Sequence, residues 1–120
     1  MESKVKKAVI YTRVATKLQT QDTNVLEIQE KQCESFARLR GFVVMSSFSD
    51  KGVSNANGDA SGFEKLLDYV SKEDIDYVLV YTKDRICRAP LVYKEIEKQL
   101  RVYGVEILPI VDLEIVDTLK

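Results

Sequence analysis

The chain has 120 residues, 45% of them apolar and 31% charged, and a formal net charge of −1. That is the balance of one globular domain; a disordered chain would carry less apolar residue, and a membrane span would need a run of about 18 apolar residues, which is not present. There is no histidine and there are only two cysteines, Cys33 and Cys87, so Ser-His-Asp and Cys-His catalysis are excluded, no zinc pattern can be built, and neither metal nor cofactor is expected.

The opening MESKVKK is basic but leads at once into the short run Ala8-Val9-Ile10-Tyr11. That run is too short for a secretory leader, which gives an expected cytoplasmic location with no membrane partner. Val5 to Tyr11, rich in β-branched residues, predicts a first buried strand. Val25, Ile28, Cys33, Phe36 and Leu39 then recur at mostly helical spacing, and Gly41 is placed to end that helix. Phe42 to Phe48 predicts a second strand, followed by a loop from Asp50 to Gly62 rich in Gly, Asn, Asp and Ser. Ser61-Gly62-Phe63-Glu64 has the form of a capping box, and Phe63, Leu66, Leu67 and Val70 fall on one face of the helix it would open. Tyr77 to Tyr81 predicts a third strand. Val92, Ile96, Leu100 and Tyr103 mark a third helix closed by Gly104, and Val105 to Val111 a fourth strand. This alternation implies an α/β domain over residues 1–120: a mostly parallel sheet of four to five strands, helices on both faces and right-handed crossovers.

Ligands of such sheets bind beyond the carboxyl ends of the strands. The turns leaving the first three strands carry Thr12-Arg13-Val14-Ala15-Thr16, Ser49 to Gly62, and Lys83-Asp84-Arg85-Ile86-Cys87-Arg88. Taken one loop at a time, these arginines are solvated, and Asp84 caps a helical turn. Two turns that each place arginine just past an apolar strand point instead to an anion-binding rim. Guanidinium forks with one carboxylate and no histidine suit a phosphate or phosphodiester. A P-loop is disfavoured because the first turn has no glycine-rich cradle, and a phospho-acceptor receiver because that turn has no acid.

At these turns the sequence resembles the catalytic domain of serine recombinases, the resolvases, invertases and large phage integrases. Tyr11-Thr12-Arg13-Val14-Ala15-Thr16-Lys17-Leu18-Gln19 is similar to that family's Y-x-R-V-S-T-x-x-Q signature, and Asp84-Arg85-Ile86-Cys87-Arg88 to its D-R-L-x-R signature. Asp50-Lys51-Gly52-Val53-Ser54 matches a D-x-G-x-S segment, and Gln29 stands where the family often has glutamine in its first long helix. The likeness extends over residues 5 to 118. It implies metal-free, cofactor-free strand exchange: a serine attacks a DNA phosphodiester, forms a 5′-phosphoseryl link and frees a 3′-hydroxyl. It assigns Arg13, Arg85 and Arg88 to the scissile phosphate and Asp84 to orienting them or assisting proton transfer. Gln19 and Ser54 would support the site through hydrogen bonds.

Two departures qualify this resemblance. Ala15 occupies the nucleophile position, and a methyl group cannot form a phosphoryl ester, so the chain as written is expected not to cut DNA. In Asp59-Ala60-Ser61-Gly62-Phe63, similar to the family's D-R-P-G-F/L, Ala60 replaces an active-site arginine. Ala15 fits either an introduced Ser→Ala exchange or natural loss of the chemistry with the fold kept for dimerisation or regulation. A phosphate-binding or small-molecule domain sharing only the architecture is a third reading. The resemblance also implies DNA as partner, assembly as dimer or tetramer, and a long helix and DNA-binding domain beyond residue 120. The pI near 5.5 agrees with DNA affinity residing mainly in that further part.

Overall fold

The computed structural model describes residues 5–14, 22–51, 61–82 and 90–111. Seven elements alternate along the chain: β1 (Lys7–Val14), α1 (Asp22–Arg40), β2 (Val43–Lys51), α2 (Ser61–Lys72), β3 (Tyr77–Val80), α3 (Pro90–Val102) and β4 (Glu106–Pro109). All strand pairs among the described residues are parallel, in the order β2-β1-β3-β4. The expected α/β architecture is present, with four strands in the described residues. Because β1 sits inside and the chain winds outward in both directions from it, the two central strands, β1 and β3, flank the point where the winding reverses.

Alternation along β1 divides the core. Ala8 and Ile10 face α1 and pack with Cys33, Ala37 and Leu79. Val9 and Tyr11 face the other way and pack with Leu66 and Val70 of α2, Leu100 of α3, and Val78, Val80, Val105 and Ile107. Successive side chains of a strand point to opposite faces, so a strand covered on both sides must be apolar at every position. The uninterrupted Ala8-Val9-Ile10-Tyr11 run meets that demand, all four residues being buried.

Several boundaries and faces differ from the sequence expectation. β1 begins at Lys7, with Val5 exposed before it, and runs on to Val14; β2 runs on to Lys51. Arg13 and Asp50 are therefore strand residues, not loop residues. Polar residues at a strand's end read as loop in a sequence, yet here the ladder pairs them, Arg13 with Asp50. On α1, Ile28 is 54% and Leu39 86% exposed. The buried stripe is Gln29, Cys33 and Ala37, each four residues apart, which places Ile28 and Leu39 off the sheet-facing side. Small and polar residues form this stripe, so the larger apolar residues misdirect a reading by hydrophobicity. Tyr103 lies past the end of α3 and is half exposed.

α1 ends as expected at Gly41. Its φ of +76° lies in the left-handed region, and the amides of Gly41 and Phe42 reach back to the carbonyls of Arg38 and Ala37 at 3.2 and 2.8 Å. This double closure needs a residue that adopts positive φ without strain from a Cβ.

Candidate functional site

The carboxyl ends of β1 and β3 lie side by side, since the two strands are parallel and hydrogen-bonded neighbours with Ile10 level with Leu79. At this rim Thr12 and Thr82 are buried, 2% and 6% exposed. A switch point between neighbouring strands opens a crevice there, because the connections leave in opposite directions. Arg13, the penultimate residue of β1, stands at the same rim and is half-buried. Of the predicted site residues, Arg13 is the one whose place is described. Ala15, Gln19, Ser54, Asp84, Arg85 and Arg88 lie outside the described residues, as does Cys87.

What the structure adds is a joint beside Arg13. Asp50, at the end of β2, is 5% exposed. One carboxylate oxygen accepts a hydrogen bond from the Gly62 amide at 2.7 Å. The other accepts from the Tyr11 hydroxyl at 2.6 Å and from the Phe63 amide at 3.0 Å. Two first-turn donors of α2 are thus satisfied across the fold, where a favourable interaction with the helix dipole offsets the cost of burying the carboxylate. The capping-box pattern at Ser61 located the start of this helix, and Asp50 caps that start from outside the helix. Gly62 is obligatory in this arrangement. A Cβ built there would overlap the Ser49 carbonyl oxygen and crowd the Asp50 carboxyl carbon.

Tyr11 is 2% exposed, and its ring meets Phe63 edge-on at a centroid distance of 5.4 Å. Burial, and then the bond and charge of Asp50, push its phenol far above the ordinary range, while the charge of Arg13 pulls weakly the other way. With its proton committed to Asp50 and its anion disfavoured, Tyr11 is unsuited to act as a nucleophile. Tyr11 and Asp50 were both visible as motif letters in the sequence, but nothing in the spacing showed that they bond to one another across 39 positions.

Elsewhere, described residues line two shallow cavities. One of about 400 Å³ is lined by Glu97, Arg101, Gly104, Val105, Glu106 and Ile107, by the amino end of β4. Another of about 300 Å³ is lined by Glu27, Glu30, Lys31 and Glu34 of α1. Neither includes Arg13, Thr12 or Thr82.

Comparison with known proteins agrees with this geometry. The family model described as "Resolvase, N terminal domain" matches residues 8–118. The C-terminal catalytic domain of ISC1926 TnpA, an IS607-like serine recombinase, superposes with a TM-score of 0.77 at 30% identity, covering 94% of this chain and 77% of that one. A resolvase family site-specific recombinase from Streptococcus pneumoniae superposes with a TM-score of 0.75 at 23% identity, covering 88% and 72%. The N-terminal catalytic domain of TP901-1 integrase does so with a TM-score of 0.72 at 24% identity, covering 87% and 76%. These last two likenesses concern the fold. A parallel 2-1-3-4 sheet with arginine at the end of its first strand, matched by the family model over nearly its whole length, places this chain in the resolvase N-terminal domain family, with the fold of a serine-recombinase catalytic domain.

Proposed function

We propose that this domain belongs to a site-specific DNA recombinase and that its carboxyl rim receives a DNA phosphodiester, in a chain silenced at position 15. The observation that supports this most is Arg13 at the end of β1, on the rim that β1 shares with β3. The turn after β3 carries Asp84, Arg85 and Arg88. In this reading the three guanidiniums neutralise charge developing on the phosphate oxygens, and Asp84 holds them in orientation or assists proton transfer. Gln19 and Ser54 contribute hydrogen bonds. With serine at position 15, Oγ would attack phosphorus and lose its proton, the bond from phosphorus to the 3′-oxygen would break, and the 3′-oxygen would leave as a hydroxyl. Ala15 has no oxygen to attack with, so binding without cleavage remains.

DNA is the partner in this reading, with self-association to a dimer or tetramer. Most affinity comes from sequence other than these 120 residues, because a net charge of −1 gives weak attraction to a polyanion. No helix among the described residues is long and apolar enough to cross a membrane, in keeping with work on DNA in the cytoplasm.

The test is Ala15→Ser in the full-length protein, incubated with its DNA site and resolved by denaturing electrophoresis. A covalent protein–DNA species carrying a 5′-phosphoseryl bond is the expected product. Ala60 supports a second reading, since it removes an arginine that the family resemblance expects in the same site. In that case the fold serves dimerisation or regulation of an active relative, and Ala15→Ser gives no adduct until Ala60→Arg is added, or not at all.

A further inference from the structure

Asp50 gathers three separate pieces of the fold onto one carboxylate. Tyr11 reaches it from β1, and Gly62 and Phe63 reach it from the first turn of α2. The chain leaves β2 one residue after Asp50 and has returned by Gly62, so both ends of the segment that carries Ser54 and Ala60 are fastened at this group. On the other side, Asp50 is the ladder partner of Arg13, and alternation puts Tyr11 and Arg13 on the same face of β1.

We infer that Asp50 is a positioning residue for the phosphate-binding rim: it fixes where Arg13 stands relative to the base of the segment between β2 and α2. The inference rests on the reading of that rim as an anion site. A carboxyl group with two accepting oxygens suits the geometry, and a carboxamide does not. Three donors converge on two oxygens, and an amide in the same place would turn an NH₂ group toward at least one of them. The group is buried and bonded on both sides, so shifting one contact moves the other pieces with it. The charge of Arg13 is felt at the Tyr11 phenol, which sets the guanidinium within electrostatic reach of the joint.

A merely structural cap and a positioning residue differ in what happens to Arg13. We would compare wild type, Asp50→Asn and Tyr11→Phe by NMR, following the Arg13 Nε–Hε resonance and the hydrogen exchange of the Gly62 and Phe63 amides. In Asp50→Asn both amides should exchange at least about tenfold faster, as for a helix start that has lost its cap, and the Arg13 resonance should move. Faster amides with an unmoved Arg13 resonance would reduce Asp50 to a cap and overturn the inference. Should Asp50→Asn not fold, Tyr11→Phe decides, because it removes one hydroxyl and leaves both amide contacts. A displaced Arg13 signal supports the inference and an unchanged one refutes it.

Binding gives an independent readout. With a short DNA duplex at low salt, Asp50→Asn should lower affinity in the wild-type background and have no further effect in the Arg13→Ala background, as for two residues acting through one contact. Equal losses in both backgrounds would overturn the positioning role. If Arg13→Ala alone binds the duplex as tightly as wild type, the anion-site reading fails, while the Arg13 resonance still decides whether Asp50 positions it.

Discussion

On the face covered by α2 and α3, ten buried residues pack together with the half-buried rings of Phe48, Phe63, Tyr69 and Tyr93. Under α1 the buried set shrinks to Ala8, Ile10, Cys33, Ala37 and Leu79. Each face also buries one polar side chain of note. Asp50, between β2 and α2, accepts three hydrogen bonds. Gln29, in the amino-terminal half of α1 and 2% exposed, has no hydrogen-bond partner among the described residues for either atom of its amide. The first face therefore carries the stability and uses its polar group as a joint. The second face brings a helix close over small residues and tolerates an amide that costs free energy.

The two cores should differ most in what they lose on truncation. Leu66→Ala, at a fully buried position of α2, should cost about 3–5 kcal/mol in urea denaturation, against about 1 kcal/mol for Cys33→Ala under α1. Equal losses would make the two faces equivalent. Gly62→Ala comes next. Its new methyl collides with the Ser49 carbonyl oxygen, backbone that cannot swing aside, so a loss of about 2–3 kcal/mol is expected.

Alkaline titration separates the faces in a different way. Burial, with smaller contributions from Glu30 and Glu34, pushes the Cys33 thiol from 9.0 up to about 12. The folded protein keeps this proton while the unfolded chain releases it, so stability is lost as pH rises from about 9 toward 12. The slope for this one group approaches about 1.4 kcal/mol per pH unit. Cys33→Ala should flatten the lower part of that curve, nearest pH 9; an unaltered slope there would place the titrating group elsewhere, for example at Tyr11 or Tyr93, whose phenols burial also raises. The smallest expected effect is a gain. Gln29→Met should stabilise by about 1 kcal/mol, since it replaces an amide without partners among the described residues by an apolar chain of similar length. A loss would mean that the amide contributes to the fold.

The order of elements was legible in the sequence because each strand and helix carries its own period, and Gly41 marks a helix end by its own chemistry. The two faces of α1 were not legible. A stripe of glutamine, cysteine and alanine has little hydrophobic contrast, while Ile28 and Leu39 draw the eye to the solvent side. The ends of β1 and β2 were hidden for a related reason, since Arg13 and Asp50 are polar and become strand only by pairing with each other. For the site, the resemblance indicated which residues to watch, and the topology makes neighbours of β1 and β3, the strands that precede the first and third turns. The Asp50 joint required coordinates, because hydrogen bonds between residues 11, 50 and 62 leave no periodic trace.

The most direct test of the rim as a DNA-phosphate site is to titrate the ¹⁵N-labelled protein with a short duplex at low salt and map the shifted amides. With the rim as the phosphate site, shifts concentrate at Thr12, Arg13, Asp50 and Thr82 and diminish as salt is raised. Shifts clustered instead at the opposite end of the sheet, around Phe42, Asp76 and Val105, with the rim unmoved, would contradict it.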